Sequence, residues 1–171
     1  MAILDDIKVR LVEPEDAEFI FNLRNGAKQK MALSKNTGGI QAQGEYIREY
    51  KFRESKGLEF YFIYLLNDKP YAVNRIYDIH LMHGTSGSWA AVDNIDYRAT
   101  LYSYLYMRNY FFNKLGLNLD VMDTRINNKK VIKLHLMSGA EEIGRDEQNV
   151  YHILKKDRWL SCVEKLNKLL K

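Results

Sequence analysis

Hydrophobic and polar positions along the chain recur with two different periods, and each period predicts one type of secondary structure. In the first half, runs of β-branched and aromatic residues predict four strands, at 7–11, 59–66, 71–80 and 86–92. Apolar positions three and four residues apart predict one helix from Pro14 to about Asn25 and a second over 41–55. Short turns join the last three strands, so we expect them to form an antiparallel meander.

The second half alternates helices and strands. Two helices are predicted, at 97–115 and 128–138, and each is ended by a glycine, Gly116 or Gly139. Three strands are predicted between and after them, at 117–123, 142–145 and 149–154. This order predicts a β-α-β unit joined to the meander.

The last segment, 157–170, predicts an amphipathic C-terminal helix. Its apolar face is formed by Trp159, Leu160, Val163, Leu166 and Leu170. Such a stripe is typical of a helix that packs on the core. The lysines of this region lack the interleaved aromatic residues of nucleic-acid platforms, so we expect a solvated face and no nucleic-acid partner.

Composition fits one domain over 1–171, with a core fold at 7–154 and the helix at 157–170. The chain has 171 residues, of which 46% are hydrophobic and 28% charged, enough to bury one substantial core. The one cysteine, Cys162, excludes an intrachain disulfide and a cysteine-built zinc site within one chain. The net charge of +4 is compatible with an anionic ligand and equally with none.

The sequence predicts no membrane partner. Apolar stretches stay well short of the roughly 18 residues that a spanning helix needs. Asp5 and Asp6 lie where a signal peptide would carry basic residues, and we therefore expect a cytoplasmic location.

Short motifs support the order of elements. Leu115-Gly116-Leu117 ends the long helix, and Asn128, Val131, Leu134-His135 and Gly139-Ala140 follow it. A second group lies near the start, comprising Val9-Arg10-Leu11, Glu13-Pro14-Glu15-Asp16-Ala17 and Leu23-Arg24-Asn25. Over 7–154 these motifs resemble the GNAT superfamily of acyl-CoA N-acyltransferases, nearest to its ribosomal-protein and surface-aminosugar acetyltransferase branches.

The resemblance implies both a fold and a reaction. The fold is α+β, a three-layer α/β/α arrangement whose mixed central sheet splays between the strands near 88–92 and 117–123. The reaction is transfer of an acetyl group from acetyl-CoA to a primary amine of a small molecule, such as an aminosugar. The resemblance further implies that backbone groups of Trp89, Ala90, Ala91 and Val92 polarise the thioester carbonyl.

The expected pyrophosphate loop departs from the GNAT pattern, because no glycine lies between Gly87 and Gly116. The candidate cofactor-binding residues at and near this position are Tyr97, Arg98, Ala99, Thr100 and Ser103, together with Asn128. Thr100 and Ser103 could donate to phosphate while Arg98 supplies charge. The alternative is that Asp96 or Thr100 only caps the helix.

Tyrosines are concentrated on the same helix. A spacing of four residues places Tyr102, Tyr106 and Tyr110 on one face and leaves Tyr104 off that face. They either pack against the sheet with their hydroxyls at the rim, or fill the channel that pantetheine would occupy.

Three residues are candidates for acid–base catalysis. His135 stands where the resemblance places the acid that protonates the departing thiolate, and the alternative is a hydrogen-bonded histidine between packed elements. Asp78 and His80 share one face of the strand at 71–80 and could order a water near the amine, or be ordinary polar residues at a strand end. We expect no metal site, since neither a carboxylate nor a cysteine completes a ligand set with His80 and His83.

Two other functions remain open at this point. One is acetylation of a protein amino terminus, and the other is a GNAT-like domain that no longer catalyses and serves as a binding or assembly module. An edge strand or the C-terminal helix could form a homodimer. The region expected to border the acceptor, 27–56, carries no recognisable motif.

Overall fold

A computed structural model describes residues 3–26 and 38–170 of the protein. The predicted acceptor region, 27–56, lies partly outside these residues. The helices are α1 (Ala17–Asn25), α2 (Gly39–Ser55), α3 (Tyr97–Asn109), α4 (Lys129–Met137) and α5 (Lys156–Lys168). The strands are β1 (Ile7–Leu11), β2 (Phe60–Leu66), β3 (Lys69–His80), β4 (His83–Ala91), β5 (Leu119–Arg125), β6 (Glu141–Arg145) and β7 (Asn149–Lys155).

The seven strands form one mixed sheet in the order β1-β2-β3-β4-β5-β7-β6. β4 and β5 are parallel and are connected through α3, whereas the other neighbouring pairs are antiparallel. The predicted meander and the predicted β-α-β unit are therefore both present in this α+β fold.

Helices cover both faces of the sheet. α1 and α2 pack on one face around a core that includes Ile20, Ile47 and Tyr50. α3 and α5 pack on the other face around a larger core that includes Phe111 and Trp159. α4 lies on this second face, because its His135 contacts α3. The predicted three-layer arrangement and the packed C-terminal helix are confirmed, but Leu160 does not belong to the packed face, because it is 50% exposed.

The sheet splays in its centre. Pairing between β4 and β5 covers only His83–Thr85 against Leu119–Val121, although both strands continue beyond these residues. The predicted splay is thus confirmed, and it divides the sheet at the junction between the meander and the β-α-β unit.

The long helix ends differently from the prediction. Its α-helical part stops at Asn109, and a π turn, Tyr110–Lys114, replaces the last predicted turn. A π turn rotates the side chains that follow it, and Phe111 and Phe112 are both fully buried here. Gly116 then ends the element with a φ of +70°, a conformation that favours glycine.

Gly139 has a second structural role after α4. Its φ is +92°, and a Cβ atom at this position would lie 3.1 Å from the carbonyl oxygen of Arg158. The glycine therefore lets the end of α4 approach the start of α5 closely. None of the helices within 3–26 and 38–170 is long and apolar enough to cross a membrane.

Candidate functional site

The splay between β4 and β5 opens into a cavity of about 70 Å³, which we call the fork cleft. The bent part of β4 contributes Ser86, Gly87, Ser88 and Trp89. α3 contributes Tyr104, Met107 and Arg108, and the segment from β5 to α4 contributes Asp123, Asn128 and His135. Two of the sequence-predicted site residues on other elements, Asn128 and His135, are therefore brought together with the predicted Trp89.

A buried ion pair closes the base of the fork cleft. Arg108 is 1% exposed and Asp120 is fully buried. The guanidinium Nη1 donates to a carboxylate oxygen of Asp120 and to the hydroxyl of Ser86. Removing one member of such a pair leaves a buried charge without compensation and costs about 3–5 kcal/mol. The pair therefore holds α3 firmly against the point where the two strands separate.

Asp120 also supplies a hydrogen-bond acceptor for Ser86, at the point where the pairing of β4 with β5 ends. The β4–β5 ladder ends at Thr85. The next residue, Ser86, donates its backbone N–H to Asp120 Oδ1 at 2.9 Å and its hydroxyl to Asp120 Oδ2 at 2.7 Å. A buried backbone N–H without a partner is costly, so this side chain stabilises the open form of the fork.

β4 bulges next to the cleft. Ala90 and Gly87 are in register with Val73 and Arg75, so Ser88 and Trp89 lie opposite a single residue of β3. Ser88 has a φ of +52°. β4 also lacks a strand partner on its β5 side over 86–90 within the described residues. The backbone groups of 87–90 can therefore bind an extended ligand on that side.

The predicted carbonyl-polarising segment is only partly on this bulge. Trp89 lies in it, whereas Ala90 and Ala91 are in register with Val73 and Ala72 of β3. The N–H of Val92 donates to the carbonyl oxygen of Tyr71 at 2.8 Å and is thus already used.

His135 projects from α4 into the cleft and is 6% exposed. Its Nδ1 lies 3.3 Å from Nη2 of Arg108 and 3.1 Å from the hydroxyl of Tyr104. Because a guanidinium only donates, Nδ1 accepts, and the proton of the neutral ring lies on Nε2. Burial, followed by the positive charge of Arg108 and by His152, holds the pKa of His135 well below its usual value.

Two hydroxyl groups fix the orientation of this histidine. The Tyr104 hydroxyl lies 2.9 Å from the hydroxyl of Ser138, which donates to the carbonyl oxygen of His135 at 2.6 Å. The Tyr104 ring in turn packs under the guanidinium of Arg108, 4.6 Å from its centroid. The histidine is therefore positioned by α3 and by its own helix at once.

Asp96 caps the amino terminus of α3, as one of the two alternatives predicts. Its carboxylate accepts the backbone N–H of Arg98 at 2.7 Å and pairs with the Arg98 guanidinium at 3.0 Å. These bonds to Arg98 hold the pKa of Asp96 below its usual value. A negative charge of the protein itself thus occupies the positive end of the helix dipole.

The other residues predicted for the pyrophosphate loop are engaged within the protein. Thr100 donates its hydroxyl to the Asp96 carbonyl oxygen at 3.4 Å, and Ala99 accepts from the Tyr71 hydroxyl at 2.9 Å. Ser103 is fully buried, donates to the Thr100 carbonyl oxygen at 2.7 Å and accepts from the Trp89 indole at 2.9 Å. Tyr97, at the helix start, is 66% exposed, and its hydroxyl donates to the carbonyl oxygen of Leu169 at 3.4 Å.

The tyrosines of α3 pack as their spacing predicts. Tyr106 lies 5.8 Å from Phe62 and 5.9 Å from Tyr64 of β2, measured between ring centroids. Tyr110 contacts Phe62 at 4.9 Å. This face therefore belongs to the core against the meander, and Tyr104, off that face, is the tyrosine that lines the fork cleft.

Asp78 and His80 line a different cavity. This second cavity has a volume of about 420 Å³ and lies beside α2, and we call it the α2 cavity. Its walls also include Tyr46 and Arg53 of α2, Glu59, and Arg75 and Tyr77 of β3. The structure does not bring Asp78 and His80 together with His135, since the two cavities share no lining residue. Among the described residues no group of three or more His, Cys, Asp or Glu side chains is placed to hold a metal ion.

Arg108, Asp120 and Ser86 are site residues that were not among the candidates predicted from the sequence. Arg108 and Asp120 do have a signal in the sequence, because Arg108 interrupts the apolar face of a buried helix and Asp120 shares a strand face with the apolar Met122 of β5. A charge at a position that the period assigns to the core indicates a buried partner of opposite charge.

The chain is similar to solved structures of acetyltransferases. FdhC, a nucleotide-linked sugar GNAT solved in the apo form, is 35% identical, with a TM-score of 0.85 over 97% of this chain and 96% of that one. Ribosomal-protein-S5-alanine acetyltransferase from Vibrio fischeri is 16% identical, with a TM-score of 0.78 over 90% and 95%. Spermidine N-acetyltransferase from Vibrio cholerae, in complex with CoA and spermine, is 15% identical, with a TM-score of 0.76 over 91% and 99%. No protein-family model and no curated protein matches the chain.

The buried histidines predict how stability depends on pH. The pKa values of His135 and His152 are lowered by folding, so below about pH 6.5 the unfolded chain binds protons that the folded chain does not. The free energy of unfolding should therefore fall as the pH drops below 6.5, by at most about 1.4 kcal/mol per pH unit for each histidine. Urea unfolding between pH 7.5 and 5.5 measures this slope.

The variant His135→Gln should show a shallower slope than the unmodified protein, whatever its stability at pH 7.5. His80→Gln, at an exposed position, is the matched control and should keep the original slope. An unchanged slope in His135→Gln would contradict the protonation state assigned to the buried ring.

Proposed function

Because the chain belongs to the GNAT family of acyl-CoA N-acyltransferases, we propose that it transfers an acetyl group from acetyl-CoA to the primary amine of a nucleotide-linked amino sugar. The 35% identity to a nucleotide-linked sugar GNAT, over nearly the whole length of both chains, supports this acceptor class. The observation that carries the proposal is the fork cleft, an opening inside a hydrogen-bonded sheet that Asp120 and Arg108 stabilise.

The unpaired side of β4 fits the cofactor. The N–H of Ser86 donates to Asp120, but the backbone of 87–90 has no strand partner toward β5 among the described residues, so an extended chain with amide groups can pair with it. The bulge at Ser88 and Trp89 aims backbone groups at the cleft, where an N–H would polarise a thioester carbonyl. Asn128, at the start of α4, borders the same space.

The start of α3 fits the cofactor less well than the cleft does. A pyrophosphate group carries the same sign of charge as the Asp96 carboxylate and competes with it for the backbone N–H of Arg98. We therefore infer that Asp96 turns away when the cofactor binds, which frees the Arg98 guanidinium for phosphate. The hydroxyl of Thr100 lies at the same turn and would have to exchange the Asp96 carbonyl oxygen, to which it donates, for phosphate.

The bound cofactor supplies an activated acetyl thioester. In the reaction the amine nitrogen forms a bond to the acetyl carbon, the carbon–sulfur bond breaks, the amine loses a proton to a base, and the departing thiolate takes a proton from solvent. We propose that His135 acts on the departing thiolate in its neutral form, which its buried surroundings favour. Its neutral ring donates a hydrogen bond from Nε2 and thereby stabilises the developing negative charge.

Asp78 and His80 remain our candidates for the amine side. Both are exposed in the α2 cavity, on the face of the sheet opposite the helix that carries His135. Either could accept the amine proton directly or through a water.

A second candidate function is a non-catalytic binding module, and the Asp96 cap is the observation that favours it. The two functions differ in whether thiol is released from acetyl-CoA in the presence of an amine. Release of free CoA thiol and the mass of the acetylated product should be measured with nucleoside-diphosphate-linked 2-, 3- and 4-amino hexoses, the free amino sugars, spermidine and a peptide amino terminus. The proposal predicts transfer to at least one nucleotide-linked amino sugar, with a higher kcat/KM than for spermidine or the peptide. No transfer to any amine would support the non-catalytic module.

Replacing His135 tests its role. The variant His135→Gln retains an N–H donor but lacks the fixed ring, and we expect kcat to fall by roughly 10²-fold while the KM for acetyl-CoA changes little. Steady-state kinetics with the best acceptor measure both constants. His83→Gln, at the exposed first position of β4, is the control and should leave kcat unchanged. An unchanged kcat in His135→Gln would remove this residue from the mechanism.

A further inference from the structure

We infer that the α2 cavity holds the sugar ring of the acceptor, and that its recognition residues are Glu59, Arg53, Arg75, Tyr46 and Tyr77. This inference rests on the proposed function and specifies which surface selects the substrate.

Size separates the roles of the two cavities. The fork cleft, at about 70 Å³, admits a narrow chain or an acetyl group. The α2 cavity, at about 420 Å³, lies within the range of roughly 300–1,000 Å³ that is typical of small-molecule sites. A hexose ring therefore fits beside α2 and does not fit inside the fork.

Tyr77 and Gly87 place the two cavities next to each other. Gly87 lines the fork cleft and Tyr77 lines the α2 cavity. A Cβ atom at Gly87 would lie 3.1 Å from the Tyr77 hydroxyl, so the tyrosine packs directly on the bent part of β4. An amine on a ring bound beside Tyr77 thus lies close to the segment where the thioester carbonyl is expected.

The polar groups of the α2 cavity are fixed in advance. Glu59 is 4% exposed and accepts from Arg53 Nε at 2.6 Å and from the Tyr46 hydroxyl at 3.0 Å. Glu59 also forms an ion pair with Arg75, whose Nε lies 3.0 Å from Glu59 Oε1. Burial is the main reason that the pKa of Tyr46 is raised to about 12, so its hydroxyl keeps its proton and continues to donate. A ligand in this cavity meets rigid polar groups and loses little entropy in ordering them.

Aromatic rings complete a surface suited to a carbohydrate. The Arg75 guanidinium lies 4.5 Å from the centroid of the Tyr77 ring and 5.5 Å from that of Tyr46. Sugars present hydroxyl groups that both donate and accept, together with apolar C–H faces, and planar charged groups beside aromatic rings match both features.

The charge of the cavity favours a sugar over a polyamine. Arg53 and Arg75 balance Glu59 and Asp78, so the walls carry no net negative charge to bind several ammonium groups. The same balance disfavours a diphosphate, which would need an excess of cations. The cavity therefore selects an uncharged ring bearing one amine, and the nucleotide part of the acceptor lies outside it.

The inference is tested with a substitution that adds a bulky side chain at an exposed position of the cavity wall. Leu58 lines the cavity and is 51% exposed, so Leu58→Trp should fold normally. Met82, also 51% exposed and outside both cavity walls, provides the matched control Met82→Trp. The measurements are the KM for the best nucleotide-linked amino sugar in the panel and the Kd for acetyl-CoA by calorimetry. A second variant, Tyr77→Phe, removes only the hydroxyl beside Gly87.

We expect Leu58→Trp to raise the acceptor KM about tenfold or more, with the acetyl-CoA Kd and the Met82→Trp constants unchanged. Tyr77→Phe should raise the acceptor KM and leave acetyl-CoA binding as it was. Unchanged acceptor KM values in both cavity variants would overturn the inference while the transferase function stands. Absence of transfer to every amine by the unmodified protein would overturn the function and the inference together.

Discussion

The buried pair between Arg108 and Asp120 is the interaction on which the rest of the site depends. Two parallel strands that begin side by side would normally continue their ladder, because each unpaired backbone group inside a protein is costly. Here the Asp120 carboxylate takes the N–H of Ser86 where the ladder stops, and Arg108 neutralises that carboxylate from α3. The same guanidinium faces Nδ1 of His135 and so fixes its protonation. One ion pair therefore opens the fork and sets the chemistry of the side chain above it.

The two ends of the proposed cofactor site differ in how much they must rearrange when the cofactor binds. The fork cleft is held open by buried groups, whereas the start of α3 is closed on itself by Asp96 and Arg98. A glycine-rich loop presents unpaired backbone N–H groups to phosphate. At the start of α3, the Asp96 carboxylate already accepts such an N–H group. Binding at this end then requires exchange of one anion for another. Such an exchange adds little net electrostatic gain, so we expect the fork cleft to contribute most of the free energy of acetyl-CoA binding.

Much of the fold could be predicted from sequence because its signals are local. The spacing of apolar residues predicts the helices and strands. Gly116 and Gly139 end two of the helices, and both have positive φ values in the structure. The site was less predictable, since its contacts join residues far apart in the chain. Arg108, Asp120 and His135 meet only after α3, β5 and α4 pack together. Asp78 and His80 were likewise predicted only as polar residues on one strand. The cavity that they line forms only because α2 packs beside this strand.

The central claim is that this chain binds acetyl-CoA at the fork and that its own Asp96 competes for the start of α3. Calorimetric titration of acetyl-CoA into the unmodified protein, Asp96→Asn and Asp93→Asn tests it most directly. Asparagine also caps helices well, so Asp96→Asn removes the charge and keeps the helix start. We predict that all three proteins bind and that Asp96→Asn binds several-fold more tightly than Asp93→Asn, which removes the same charge three residues away. No binding by any of the three at millimolar acetyl-CoA, or weaker binding by Asp96→Asn, would contradict the account.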